Sequence, residues 1–287
     1  MSILSSDLTF QLGDTGVTLN TDSVFPFVDI TQVAGLDSAP FRTSQRDHEG
    51  TDGAFIDAEF ETGRDLLLTG TVYADSSTME LYLDQLVFNY QPSTVRIPFY
   101  FKAPGVDERV LFVKPLGCRY NWDILRRTGQ ANIQFSMFAE DPRKYSSTLK
   151  SVAMVQGSTI ITGRSYNKSY NFGYNTIILV PDSVVVTNSG NRDAPALISI
   201  AGPVVNPIIV SDTAGKTLSV NITLGVSDTL VIDLVNHTVV LNGTANRRNL
   251  LSAPNWFLLS PGDNVLGFRA TVAGSAIATV TFRDTYR

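Results

Sequence analysis

Cysteine occurs once, as Cys118, so the chain can form no internal disulfide and no thiolate zinc cluster. Stability has to come from packing. Charge is scarce as well: Asp, Glu, Lys and Arg make up 17% of the residues, against roughly 25% in ordinary soluble domains. A surface this poor in charge is expected to face other protein over much of its area. Cations are outnumbered, 22 to 27, giving a net charge of −5. That balance excludes a chain-wide basic footprint for nucleic acid. The pairs Arg126-Arg127 and Arg247-Arg248 are too short to be a nucleic-acid patch and are expected in solvated turns. No apolar run approaches the length of a membrane-spanning helix, so no membrane insertion is expected. The first residues, Met1 to Asp7, carry neither a positive region nor an apolar stretch. A cleavable signal is therefore not expected, and synthesis in a cytoplasm is.

Motifs for catalysis are missing too. The nearest string to a nucleophile elbow, Gly163-Arg164-Ser165-Tyr166-Asn167, lacks the second glycine. Gly215-Lys216-Thr217 resembles the end of a phosphate-binding loop, but Val210 stands where the first glycine belongs, so a β-turn is expected there. There is no GxGxxG string and no calcium loop of the D-x-D-x-D-G type. Only two histidines exist: His48 in a charged loop and His237 in a turn. Nothing marks a serine partner for a triad with His48. Asp57, Glu59 and Glu61 alternate along one side of a possible strand, which invites comparison with a glycosidase carboxylate pair. The intervening Ala58 and Phe60 make a surface strand with one wet face the plainer reading. Four N-x-S/T strings, at Asn167, Asn221, Asn236 and Asn242, follow from turns rich in Asn and Thr. The expectation is no catalytic, cofactor-binding or metal-binding residue, no cofactor, and no enzyme.

What the chain does have is hydrophobic residues, 43% of the total, arranged mostly as strands. A length of 287 residues suggests roughly two domains. Leu8 to Leu12 alternates and stops at Gly13-Asp14, and Leu66 to Tyr73 reads as a buried strand. Val110 to Val113 follows the turn Pro104-Gly105-Val106-Asp107, and Asn132 to Phe138 places Ile133, Phe135 and Met137 on one side of the pleat. One helix stands out. Ser77 is a candidate cap with Glu80 three residues on, and Met79, Leu83, Leu86, Val87 and Tyr90 form one apolar stripe. Asp141-Pro142 ends this α+β unit. The stretch 146–190 is read as a connecting region with short strands. Its aromatics Tyr166, Tyr170, Phe172 and Tyr174 are candidates either for an interface or for a small satellite core. From Ala194 the pattern is all-β. Strands are expected at Ala196 to Ala201, Leu218 to Leu224, Thr229 to Val235, Thr238 to Leu241 and Ala276 to Phe282. The turns between them include Asn236-His237, Asn242-Gly243 and Pro261 to Asn264. That spacing means a sandwich or jelly roll.

Several strings together resemble the siphovirus-type distal tail proteins of bacteriophages. In the first half they are Ile30 to Asp37, Pro40-Phe41-Arg42, Gly50 to Gly53, Leu67 to Tyr73 and Ala139 to Tyr145. In the second half they are Asp228 to Asp233, Val239 to Gly243, Asn255 to Asn264 and Ala278 to Tyr286. The aromatic middle departs from the pattern. The resemblance implies a mainly β protein. An α+β N-terminal ring-forming domain, a β-sandwich with one helix, would span 1–145, and a C-terminal galectin-like or jelly-roll β-sandwich would span 191–287. It further implies a homo-oligomeric ring, commonly a hexamer, at the distal end of the tail in the virion. Such a ring joins the tail tube protein to the tail-tip hub or tail fibre proteins, leaves a channel for DNA, and carries no catalytic residues. Two other classes were weighed. A carbohydrate-binding adhesion protein would use Trp256 to stack on a host surface glycan, although the neighbouring Phe257, Leu258 and Leu259 favour a core role. A polysaccharide-degrading enzyme would use Glu59 and Glu61.

Overall fold

In the computed structural model the described residues are 3–21, 25–56, 59–157, 159–160, 178–179, 183–272 and 274–287. The fold is mostly β with one α-helix among the described residues. The chain divides into two compact units, Met1–Thr148 with Tyr286–Arg287, and Leu149–Thr285.

The first unit is built on one antiparallel sheet. Its path runs Thr18–Leu19, Phe10–Leu12, Ile97–Phe101, Arg109–Tyr120, Gln130–Ala139, Arg64–Tyr73, Phe27–Ala34. The long strand Arg109–Tyr120 serves three neighbours, and its start also pairs with Lys144–Ser146. Residues 109–113 pair with Phe101 to Ile97, and residues 114–120 pair with Phe138 to Ile133. The register slips between Pro115 and Gly117, where proline has no N–H to give and Gly117 takes φ +142°. Such a bulge bends a strand and lets one sheet wrap its own core. That core takes Phe99, Leu111 and Val113 from one side and Leu66, Leu68, Val72, Ile133, Phe135 and Met137 from the other. The expected alternation at Ile133, Phe135 and Met137 holds, all three being buried. Arg64–Tyr73 is not buried throughout: burial alternates, and Leu67 points outward.

The helix is Met79–Asn89. Ser77 does not cap it. Thr78 occupies the cap position with no side-chain cap bond, and its hydroxyl donates instead to the carbonyl of Asp75. Glu80 turns away to bind Arg126 at 2.8 Å. The inward stripe is Met79, Tyr82, Leu83, Leu86 and Tyr90, with Tyr82 replacing the expected Val87. Gly70 sits opposite the bulge at Ile30/Gln32, where an added Cβ would lie 2.2 Å from the Asp29 carbonyl oxygen. Only glycine admits that approach.

The second unit is a two-sheet sandwich. One sheet runs Lys150–Val155, Ile277–Phe282, Ala196–Ala201, Thr229–Asp233, Thr238–Leu241, Ala245–Asn246. The other runs Ser183–Asn188, Gly262–Ala270, Pro207–Ser211, Lys216–Val220, Leu251–Pro254. Ile198, Ile200, Leu230, Ile232, Leu266, Phe268, Ala278 and Val280 meet between them. Strands Lys150–Val155 and Ser183–Asn188 lie in the stretch read from sequence as a connector, yet they pair into these sheets. The turn at Asn236-His237 is longer than expected. Asp233 pairs with Thr238, so four residues cross over, and His237 takes φ +53°. Asn242 and Gly243, at φ +50° and +75°, make the expected tight hairpin turn. Leu218 to Leu224 is two short strands, Lys216–Val220 and Thr223–Leu224, in different sheets.

Candidate assembly surface

The residues considered for chemistry are scattered. His48 sits beside the Phe55 ring, 3.8 Å between centroids. His237 stacks on Trp256 in the second unit, 4.6 Å apart with planes at 19°. Glu59 is exposed outside any strand, Glu61 meets Arg287 at 3.2 Å, and Asp57 lies outside the described residues. The string Gly163 to Asn167 and the aromatics Tyr166, Tyr170, Phe172 and Tyr174 also lie outside them. Gly215 closes a tight turn, donating to the Asp212 carbonyl at φ +62°, which accounts for the loop-like string there. Cys118 is half-buried, and burial pushes its thiol up to about 12, far from a reactive thiolate. No group of three or more His, Cys, Asp or Glu among the described residues is arranged to hold a metal. No helix among them is long and apolar enough to cross a membrane.

One part of the first unit contributes no residue to its core. Residues 41–61 form a long hairpin arm. Phe41 pairs with Glu61 and Arg42 with Phe60; farther out Gln45 pairs with Ile56, Arg46 with Phe55 and Asp47 with Ala54. Its two ladders are separate two-stranded sheets. At its base the Glu61 side chain is covered and Arg287 lies over the Phe41 ring; the other described side chains of the arm are exposed or half-buried. Phe41, Phe55 and Phe60 are 49%, 52% and 57% exposed. A two-stranded hairpin is marginal in water by itself. One that shows three phenylalanines to solvent has the composition of a surface that packs against something else. The tip, 47–54, carries Asp47, Glu49 and Asp52, all exposed, and no Lys or Arg. The sequence reading noticed the carboxylates here and the string Pro40-Phe41-Arg42, but not that they belong to one arm. The signal was present in the turn residues Gly50, Thr51, Asp52 and Gly53, flanked by Phe41 and Phe60.

The strings that carried the resemblance in the second half are turn fasteners. Asn264, buried, accepts from Ser260 N at 2.9 Å and donates to Ser260 O and Gly262 O, closing the Ser260 to Asn264 turn. Asp284, buried, takes Lys150 at 2.7 Å and Ser189 N at 2.8 Å. Asp228 accepts from Gly225 N and from Asn242, tying two loops together.

Known proteins share part of this sequence and most of this fold. Residues 189–286 match the family model of the siphovirus-type tail component, C-terminal domain. The second unit is thus similar to a class of phage tail components. The particular likeness is to Dit. The chain is similar in structure to the SPP1 Dit protein (gp 19.1), a paradigm of the hub adsorption apparatus of phages infecting Gram-positive bacteria. The TM-score is 0.66 at 15% identity, over 98% of this chain and 100% of that one. A chain of the phage P2 baseplate in its Ca-activated conformation matches with TM-score 0.51 at 10% identity, over 95% of this chain and 97% of that one. No curated protein matches the sequence significantly. The fold is therefore Dit-like over nearly the whole chain, and the resemblance read from the sequence stands.

Proposed function

We propose that this protein is the distal tail protein of a long-tailed bacteriophage, a non-enzymatic subunit that self-associates into a ring. The observation that carries the proposal is the hairpin arm 41–61, whose exposed phenylalanines have no core of their own. An arm on one face that grips a different face of the next copy makes a head-to-tail contact. Such contacts close into rings when the rotation per subunit divides a full turn. Each subunit then has two neighbours, so modest single contacts add up to a stable ring. The copy number proposed is six, with the N-terminal unit building the ring and the C-terminal sandwich facing its partners. The ring joins the tail tube protein to the tail-tip hub or tail fibre proteins, at the distal end of the tail in the virion, after synthesis in the host cytoplasm. DNA only passes through the lumen. The net charge of −5 suits that passage, because a like-signed wall does not hold the phosphate backbone. A strongly positive lumen would contradict this part.

The alternative, a carbohydrate-binding receptor-adhesion protein, has less support. Trp256 is half-buried against the second core, and one face of its indole is taken by His237. A glycan array that shows binding lost on Trp256→Ala would reverse this preference.

The test is a native mass measurement with low-resolution imaging of the purified chain. A closed ring is expected, and replacing Phe41, Phe55 and Phe60 together by Ser should release monomers with unchanged circular dichroism. A ring indifferent to that replacement would remove the arm from the mechanism.

A further inference from the structure

The arm needs a receptor, and the structure offers one with its own unsatisfied surface. Between the strands Arg109–Tyr120 and Gln130–Ala139 the chain makes a turn containing the 3-10 segment Ile124–Thr128. Trp122 on this turn is 78% exposed and Ile124 is 75% exposed, with Leu125 beside them at 39%. Exposed side chains of this kind are usually mobile, but this turn is braced. Asp123 caps the segment by accepting from Leu125 N at 3.0 Å, and Thr128 donates to Leu125 O at 2.7 Å. Gly129 at φ +78° is packed so closely on Ala74 that a Cβ would lie 2.6 Å from its carbonyl oxygen. The Arg126 guanidinium lies 3.8 Å from the Trp122 ring centroid and 5.2 Å from that of Tyr120, and it is anchored to Glu80 of the helix at 2.8 Å. One face of Trp122 is thus held against a fixed cation while the rest of the ring is offered to solvent. A large aromatic already locked in place loses little freedom on binding, which is what makes interface hot spots.

We propose that this turn receives the tip of the hairpin arm from a second copy of the chain. The inference rests on the ring reading above and names the contact that would build the ring. Three features select this occupant. The two surfaces are distinct parts of one unit, as a head-to-tail contact requires. Both are apolar at the centre: Phe55 on the arm, and Trp122, Ile124 and Leu125 on the turn. Their rims carry a net opposite charge: Asp47, Glu49 and Asp52 outnumber Arg46 on the arm's outer part, and Arg119, Arg126 and Arg127 outnumber Glu80 and Asp123 at the turn. Arg126 is already committed to Glu80, so it supports the platform and is not the charge that the tip meets.

The test is made on the full chain by native mass spectrometry over a dilution series. Trp122→Ala is expected to weaken subunit association roughly ten-fold or more. Folding should be unchanged, because the side chain is exposed. Reversing the tip (Glu49→Lys with Asp52→Lys) and reversing the rim (Arg119→Glu with Arg127→Glu) should each weaken association. Combining the two reversals in one chain should restore it in large part. Rings that form normally, with neither Trp122→Ala nor the reversals moving the dilution midpoint, would overturn this contact and leave the ring reading intact. A chain that stays monomeric at every concentration would overturn both.

Discussion

Asn188 makes the sharpest stability test, because one buried amide holds three parts of the second unit together. It is 0% exposed. Its Nδ2 donates to Arg192 O at 2.8 Å and to Leu259 O at 3.0 Å, while its Oδ1 accepts from Gly190 N at 3.0 Å and from Thr285 N at 3.4 Å. Asn188→Ala removes all four. Leu259 O keeps its bond from Ala194 N at 2.8 Å, so its loss is small. The Gly190 N–H loses its partner in a half-buried place, which costs about 1 kcal/mol, with about 1 kcal/mol for each other bond. The sum is about 3 kcal/mol, or a fall of roughly 10 °C in the Tm of a unit this size. Asn188→Asp is the discriminating partner. It keeps the acceptor oxygen but turns the donor into a second oxygen aimed at two carbonyls, with a buried charge. It should therefore be worse than Ala at neutral pH. Those surroundings raise the folded-state pKa of the new carboxyl above its unfolded value. The deficit is then largest above the folded pKa, and it shrinks as pH falls through that pKa and the protonated acid can donate again. Urea unfolding of the intact chain, followed by Trp256 fluorescence in a Trp122→Phe background, reads this unit separately, because the chain has only two tryptophans. If Asn188→Asp matches wild type at pH 7, or Asn188→Ala moves stability by less than about 0.5 kcal/mol, the account of the buried amide fails.

Two further outcomes follow from the first unit, beside the arm and turn variants above. Gly70→Ala forces a Cβ to 2.2 Å from Asp29 O. It should cost about 2–4 kcal/mol, by the reasoning for strained and overpacked sites, and an unchanged urea midpoint would show that the two strands separate freely. Lys144 is buried, donates to Asp37 O at 2.8 Å, and is held at about 8 first by burial and then by Arg64 and Arg109, with Asp37 opposing. Its folded value lies below its unfolded one, so the unfolded chain binds more protons between about pH 8 and about pH 10.4. Lys144 therefore makes stability rise with pH across that window. Lys144→Met should flatten the rise, as urea midpoints at pH 7.5 and 10.5 would reveal, and an identical slope in the variant would assign the effect elsewhere.

The strands were legible wherever one face is buried, because period-two alternation is the direct imprint of a half-buried sheet. Asn132 to Phe138 and Ala196 to Ala201 are cases of this. The signal misled at Leu66-Leu67-Leu68, where three consecutive leucines read as burial on both faces and the middle one is outward. The helix was legible from its stripe, but its cap was not. Ser77 and Glu80 have capping-box spacing, yet a tertiary partner, Arg126, takes the glutamate. The candidate surface was the least legible part. Trp122 drew no attention in the sequence, since exposure of a lone aromatic inside a polar turn leaves no periodic trace. Phe41, Phe55 and Phe60 are scattered over twenty residues, and only the pairing of the arm shows that they share one projecting hairpin.

The structural likeness covers 98% of the chain, while the family model matches only 189–286. Two kinds of interior contact hold each unit together. The first unit is held mainly by apolar alternation around residues such as Phe99, Leu111 and Phe135, and a core of that kind accepts many sequences of similar volume. Both units also carry polar side chains that must reach particular backbone atoms: Asn20, Glu108 and Lys144 in the first, and Asn188, Asn264, Asp284 and Asp228 in the second. No isostere of an amide supplies both a donor and an acceptor at the same places, and a buried orphan costs more than a lost methylene. Such positions tolerate fewer side chains than the apolar ones do. The residues proposed to build the ring are under no such internal obligation to be Trp122 or Phe55, so a surface of this kind is found by geometry and exposure.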